Sequence, residues 1–203
     1  MKLLFVLVVL TASHASAQTV DEIVAKHVEA RGGIARLKAI DTVRIERTVA
    51  ATFNDIDVLI VKKRPDLYRS EQTPEGSPNT IVRGFADVAW ELAGGRAAVR
   101  EGAGADAWKL KVTMRSGAVR YVYLDAATFL ERRHETTIEL APGRRVATTI
   151  RFGDWRDVGG VKFPFAIEEE RDAPGQTFVH YTKKIEVNVP VDDSLFAMPK
   201  PSA

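Results

Sequence analysis

Apolar positions recur every three or four residues near the start of the chain and every second residue through most of its remaining length. Val20, Ile23, Val24 and Val28 fall on one face of a helix. Thr19 and Glu22 precede that face at capping-box spacing, where each side chain can satisfy an N–H left over in the first turn. Arg31-Gly32-Gly33 stops the helix, because glycine accepts a left-handed C-terminal conformation at little cost. Ile34, Leu37 and Ile40 predict a second short helical turn before Asp41.

Beyond Asp41 the period changes to two. Val43, Ile45, Arg47, Val49, Ala51 and Phe53 alternate with Arg44, Glu46 and Thr48, and Ile56 to Val61 is apolar on both faces. Pro65 breaks that run and Leu67-Tyr68 starts another. Leu110, Val112 and Met114 alternate with Lys109, Lys111, Thr113 and Arg115; Ser116-Gly117 turns the chain, and Val119, Tyr121 and Tyr123 return. Phe129–Leu140 and Arg144–Phe152 flank the turn Ala141-Pro142-Gly143, while Val161–Arg171 and Thr177–Val189 flank Ala173-Pro174-Gly175. Gly159-Gly160, between two strand patterns, reads as a hairpin corner rather than an anion cradle, since no helix comes after it. Phe163, Phe165 and Ile167 then share one face, and Pro164, on the other, suggests a strand start or an edge. Asp192–Phe196 predicts a last turn of helix.

The whole reads as one domain over residues 18–203, mainly β with an α+β start: an antiparallel meander behind a short helix, with no β-α-β alternation and no repeat. Roughly ten strands of about six residues are far wider than one helix of about 10–12 Å can cover. Such a sheet must curl on itself or enclose a hollow.

Composition adds a compartment and removes several chemistries. Lys2, the apolar run Leu3–Ala12 and the small residues Ala15-Ser16-Ala17 make a secretory pattern, so residues 1–17 are expected to be a signal peptide and the product periplasmic or secreted. The apolar run is too short for a membrane span, and no second one occurs. The chain has no cysteine, which excludes disulfides, thiol nucleophiles and a lipid on an N-terminal cysteine. A formal net charge of +2, with both signs interspersed, gives no field for nucleic acid. The basic clusters Lys62-Lys63-Arg64, Arg132-Arg133 and Arg144-Arg145 read as solvated strand ends; the competing reading is contact with anionic lipid headgroups.

Catalytic patterns are missing. His27, His134 and His180 have no second histidine at metal-ligand spacing, and each is expected to be a packed or hydrogen-bonded side chain. No G-x-S-x-G occurs. Gly102-Ala103-Gly104-Ala105-Asp106-Ala107 fits a dinucleotide fingerprint only nominally, since strand rather than helix comes after it. Asp55/Asp57 and Asp192/Asp193 are turn and cap residues before they are acid–base pairs. The expectation is a non-enzyme with no catalytic residues, metal or cofactor.

Several segments together resemble a known family. Val24–Ile40 is similar to the opening helix and Gly-Gly stop of outer-membrane lipoprotein-sorting proteins of the LolA/LppX-like superfamily. Lys63–Arg69, Trp108–Val112, Tyr123–Leu130, Phe152–Arg156, Gly160–Pro164, Val187–Val189 and Asp193–Phe196 come next, in the family's order. Two departures stand out: a shortened, Gly- and Ala-rich middle segment at Glu91–Ala107, and Ala86-Asp87-Val88-Ala89 where an Asp-Gly is usual before the tryptophan. The resemblance implies a half-open β-barrel, a curved antiparallel sheet with the N-terminal helix packed on its concave side. It implies carriage of a lipid or lipoprotein acyl chain in a hydrophobic hollow, without cofactor. The alternative on the same fold is an envelope protein-interaction or sensing module with a dry packed core and a protein partner. Phe53, Trp90, Met114, Phe152 and Phe165, as large apolar residues at strand positions, are the candidates for the cavity lining, with ordinary core packing the competing reading for each. The resemblance fixes no ligand-contacting arginine; Arg44 and Arg47 are nearby candidates.

Overall fold

The computed structural model describes residues 18–51, 54–77, 81–85, 107–114, 117–141, 143–172 and 176–197. Helix α1 (Val20–Ala30) begins at the expected capping box: Thr19 Oγ1 accepts from Glu22 N at 3.3 Å and the Glu22 carboxylate accepts from Thr19 N at 2.9 Å. It ends where glycine permits, with Gly32 N bonded to Glu29 O and Gly33 N to Val28 O, both at 2.9 Å. Helix α2 (Ile34–Ala39) begins at once. A 3-10 turn at Asp193–Phe196, capped by Asp192, closes the described chain.

Ten strands lie between: β1 (Thr42–Ala50), β2 (Ile56–Lys63), β3 (Leu67–Pro74), β4 (Ile81–Phe85), β5 (Ala107–Thr113), β6 (Val119–Asp125), β7 (Glu131–Ala141), β8 (Arg144–Val158), β9 (Val161–Arg171) and β10 (Thr177–Val187). They form one antiparallel sheet, curled and unclosed, in the order β4-β3-β2-β1-β10-β9-β8-β7-β6-β5. The hairpins expected from the turn signals are present, but the sheet is more than a simple meander. Its first and last strands pair along their length, Val43 opposite Val187 and Val49 opposite His180. Among the described residues the sheet therefore opens in mid-chain, between β4 and β5, which are its two edges.

Register sorts side chains onto two faces. On the inner face Ile23 of α1 packs with Leu110 and Leu124, and Leu124 is fully buried. A second cluster joins Val43, Phe165 and Ile185, with Ile40 and Phe163 against it; a third joins Val49, Val58 and Ile60, with Phe178 against it. Each fully buried aliphatic side chain is worth roughly 1.5–3 kcal/mol over its exposed state. The outer face carries charge instead. Arg151 bridges Glu168 and Glu170 at 2.8 and 2.9 Å, and Arg44 joins Glu46 and Glu186. These exposed pairs keep the outer face wet and add about 1 kcal/mol or less each.

Of the two readings for Pro164, a strand start or an edge, the second fits: it lies inside β9, opposite Trp155 of β8, and is unpaired on its other side. What admits it is the other neighbour, since the β9–β10 ladder runs only from Glu170–Thr177 to Ala166–Tyr181. Beyond Ala166 no ladder bond to β10 is lost by a residue without an N–H.

The helices are pinned at one place. Gly159 and Gly160 form the β8–β9 corner with φ of 63° and 81°, as a two-glycine hairpin requires. The end of α1 lies directly on that corner: Lys162 N donates to Arg31 O and Arg31 Nε donates to Lys162 O, both at 2.9 Å. A Cβ on Gly32, whose φ is 120°, would stand 2.2 Å from Gly160 O, and one on Gly160 would stand 2.8 Å from Arg36 Cδ. Gly32→Ala combines a forbidden φ with a backbone overlap. It is expected to lower unfolding free energy by about 2–4 kcal/mol in urea titration, against about 1 kcal/mol for Gly76→Ser, where the φ of 73° is strained for a side chain but a Cβ meets nothing.

Candidate functional site

Between the two helices and the inner face of the sheet lies a cavity of about 470 Å³. Its apolar wall comes from Val28 of α1, Leu37 and Ile40 at α2, Val43 of β1, and Val161 and Phe163 of β9. Its polar wall holds Arg31, Lys38, Lys62, Arg64 and Arg120, with His27, Asp41 and Glu131. Lys62 on β2 and Arg120 on β6 belong to opposite limbs of the open sheet, and the curl brings both to one space.

Local sequence sets this wall. Asp125 accepts from the N–H groups of Ala127 and Thr128 and from the Thr128 hydroxyl, a side-chain-capped turn at the end of β6. That turn delivers Phe129, at φ 57°, so that its ring stacks on Trp108 and its carbonyl accepts from His27 Nδ1 at 2.8 Å. Glu131, the next ladder residue, takes Arg31 Nη1 at 3.0 Å, and the Arg31 guanidinium lies over Trp155. On the far side Arg64 donates to Ile40 O at 2.6 Å and to Leu37 O at 3.0 Å, occupying the free carbonyls at the end of α2. Arg31 and Arg64 are thus committed to holding the helices.

The inner face carries polar groups both in the cavity wall and beyond it. Burial, reinforced by the Arg47 charge, pulls Lys62 down to about 8. Arg47 is itself lowered by burial and lies 3.4 Å from His180. Burial takes His134 to about 4, with the Arg120 charge adding to it, and takes His180 to about 4, with Arg47 adding to it. Both histidines are neutral near pH 7; His134 stands edge-on to Phe152 at 4.6 Å, and His180 lies beside Arg47 and Glu169.

No family model matches this chain, and no curated protein matches it. Solved structures do. A LolA superfamily protein from Nitrosomonas europaea superposes with a TM-score of 0.55 at 14% identity, over 90% of this chain and 99% of that one. A protein domain named for outer membrane lipoprotein sorting, from Vibrio parahaemolyticus, superposes at 0.53 with 10% identity, over 86% and 94%. The chain shares its fold with both of these structures.

Within this LolA-type half-barrel the five candidate positions separate. Phe53 and Trp90 lie outside the described residues. Phe165 is buried in the cluster with Val43 and Ile185. Phe152 is half-buried between His134 and Trp155. Met114 closes the β5–β6 hairpin, bonded through its backbone to Ala118 and Gly117. None of these three lines the cavity. Phe163, two residues from Phe165 on the same face, does. The shortened segment at 91–107 lies outside the described residues except for Ala107, which opens β5. Of the two arginines named from the sequence, Arg44 faces out to Glu186 while Arg47 faces in. Lys62 is a correction: in a cluster read as solvated, it lines the cavity, because even-numbered residues of β2 face inward with Val58 and Ile60. The capped turn at Asp125 and the inward parity of Lys62 were both written in the sequence, but no single-strand pattern says which face will be enclosed.

The two neutral histidines fix a pH dependence. Their folded values lie below the ordinary 6.5, so between pH 6.5 and about 4 the unfolded chain binds more protons than the folded one. Stability is full above pH 6.5, falls through that window, and levels below it. Each histidine contributes on the order of 3 kcal/mol to the fall. Urea unfolding from pH 7.5 to 4 should show this slope, and the double variant His134→Gln, His180→Gln should flatten it.

Proposed function

We propose that this protein is a periplasmic carrier that holds the acyl chain of a lipid or lipoprotein between its helices and its half-barrel, and that it performs no chemistry on its ligand. The observation that carries the reading is the cavity itself. Its volume falls in the range of sites that take small ligands, roughly 300–1,000 Å³, and the side chains of Val28, Leu37, Ile40, Val43, Val161 and Phe163 give it a wall of hydrocarbon. Transfer of an acyl chain onto such a wall gains about 0.8 kcal/mol per CH₂ without any catalytic group. The fold shared with a LolA superfamily protein and with a domain named for lipoprotein sorting supports the same use. So does the secretory pattern of the first seventeen residues, which favours the envelope. Among the described residues no helix is long and apolar enough to cross a membrane, and no group of histidines and carboxylates is arranged to hold a metal. The dry-core interaction module is less well supported, because the second apolar cluster does not close over its own edge: Ile40, Val43 and Phe163 border the cavity.

Native mass spectrometry on protein isolated gently from the periplasm should show a reproducible lipid adduct. In titrations with the fluorescent fatty acid cis-parinaric acid, Leu37→Trp should weaken binding by at least about tenfold while the unfolding midpoint moves little, since the larger ring fills existing space. A bare protein that also ignores the fatty acid would remove the carrier reading.

A further inference from the structure

Among the described residues the cavity wall is lopsided in charge: five cationic side chains and two carboxylates line it, His27 aside. Arg31 is matched by Glu131, and Arg64 is spent on the carbonyls of Leu37 and Ile40. The other cations on the wall are Lys38, Lys62 and Arg120, and the other carboxylate is Asp41, exposed at the rim. Arg120 Nε is buried without a hydrogen-bond partner, a state that costs free energy until an acceptor arrives. Lys62 lies over the Tyr68 ring and is held well below its ordinary value by burial and by Arg47, so its ammonium form is disfavoured where it stands. A plain acyl-chain slot gains nothing from either. Both belong to a site that receives negative charge, and they come from opposite limbs of the sheet, so one anion between them would also hold the half-barrel at a fixed opening.

Resting on the carrier reading, we infer that the ligand is an anionic amphiphile, whose carboxylate or phosphate head is seated between Lys62 and Arg120 while its chain lies along Phe163, Val43 and Leu37. The guanidinium supplies paired N–H donors to such a head, and the lysine a point charge. Uncharged lipids of the same chain length lack the group that this end of the cavity is built to receive.

The test compares palmitate, palmitoyl lysophosphatidic acid and methyl palmitate by displacement of cis-parinaric acid from the full-length mature protein. Palmitate, the lysophosphatidic acid or both should bind at least about tenfold more tightly than methyl palmitate, the worth of one charge-assisted hydrogen bond. Tighter binding of palmitate alone assigns a free fatty acid, and of the phosphate alone a phospholipid head. Lys62→Gln and Arg120→Gln should each bring the affinity ratio of the charged to the uncharged ligand toward one; Lys62→Arg should keep it. Unfolding midpoints measured on every variant separate a lost head site from a lost fold, and if Arg120→Gln unfolds, the Lys62 pair alone decides. Equal binding of all three ligands, or ratios unchanged in the variants, overturns the anionic-head inference and leaves the carrier intact. No binding of any ligand overturns both.

Discussion

Everything above the sheet depends on one close approach, the end of α1 lying on the β8–β9 corner. Arg31 and Lys162 exchange two hydrogen bonds there, and the contact needs Gly32, where a Cβ would overlap Gly160 O, and Gly160, where a Cβ would meet the Arg36 side chain. From that point Arg31 reaches Glu131 on β7, His27 reaches the Phe129 carbonyl, and α2 leaves at the angle that Gly33 permits. Helices of 11 and 6 residues have little hold of their own on a ten-stranded sheet. Pinned at one corner, they roof the inner face without filling it.

That arrangement explains why the interior is not one continuous core. Ile23 serves the β5–β6 limb and Ile40 serves β1, β9 and β10, while Ile45 joins that second cluster to the one at Val49 and Val58, against which no helix packs among the described residues. The cavity borders the second cluster at Ile40, Val43 and Phe163 and α1 at Val28. The sheet contributes as well: the β9–β10 ladder stops at Ala166, which releases the backbone at the end of β9 carrying Phe163 and Val161, and Lys162 N donates to Arg31 O at the end of α1. Pro164 is compatible with that release and would not be with a continued ladder.

Local features were the legible part of this chain. The capping box, the glycine stop, the two-glycine corner and the period-two strands each depend on residues within a few positions of one another, and each is where the pattern puts it. What could not be read was long-range. That β1 closes on β10, and so moves the opening of the barrel to mid-chain, is encoded in no single motif. The same holds for the cavity wall. Ile56 to Val61 is apolar on both faces, so its alternation does not say that Lys62 turns in; only pairing with β1 and β3 decides it. Phe163 and Phe165 share a face and even a cluster, yet one is core and the other wall, a distinction made by the helix above them.

The inward charges arise from the same geometry. Arg47 stands at an inward position between Ile45 and Val49, and the irregularity after Glu46 shifts its partner on β10 by one residue. It therefore sits beside His180, and each is made less able to carry charge, Arg47 by burial and His180 by burial and the Arg47 charge. Lys62, two strand positions from the next inward residue of β2, shares that penalty through Arg47. An apolar half-barrel could have replaced all of these by hydrophobic side chains of similar volume with no loss of stability. Arg47, Lys62 and His180 are therefore groups whose charged forms burial disfavours, set on the same face as a cavity with an apolar wall.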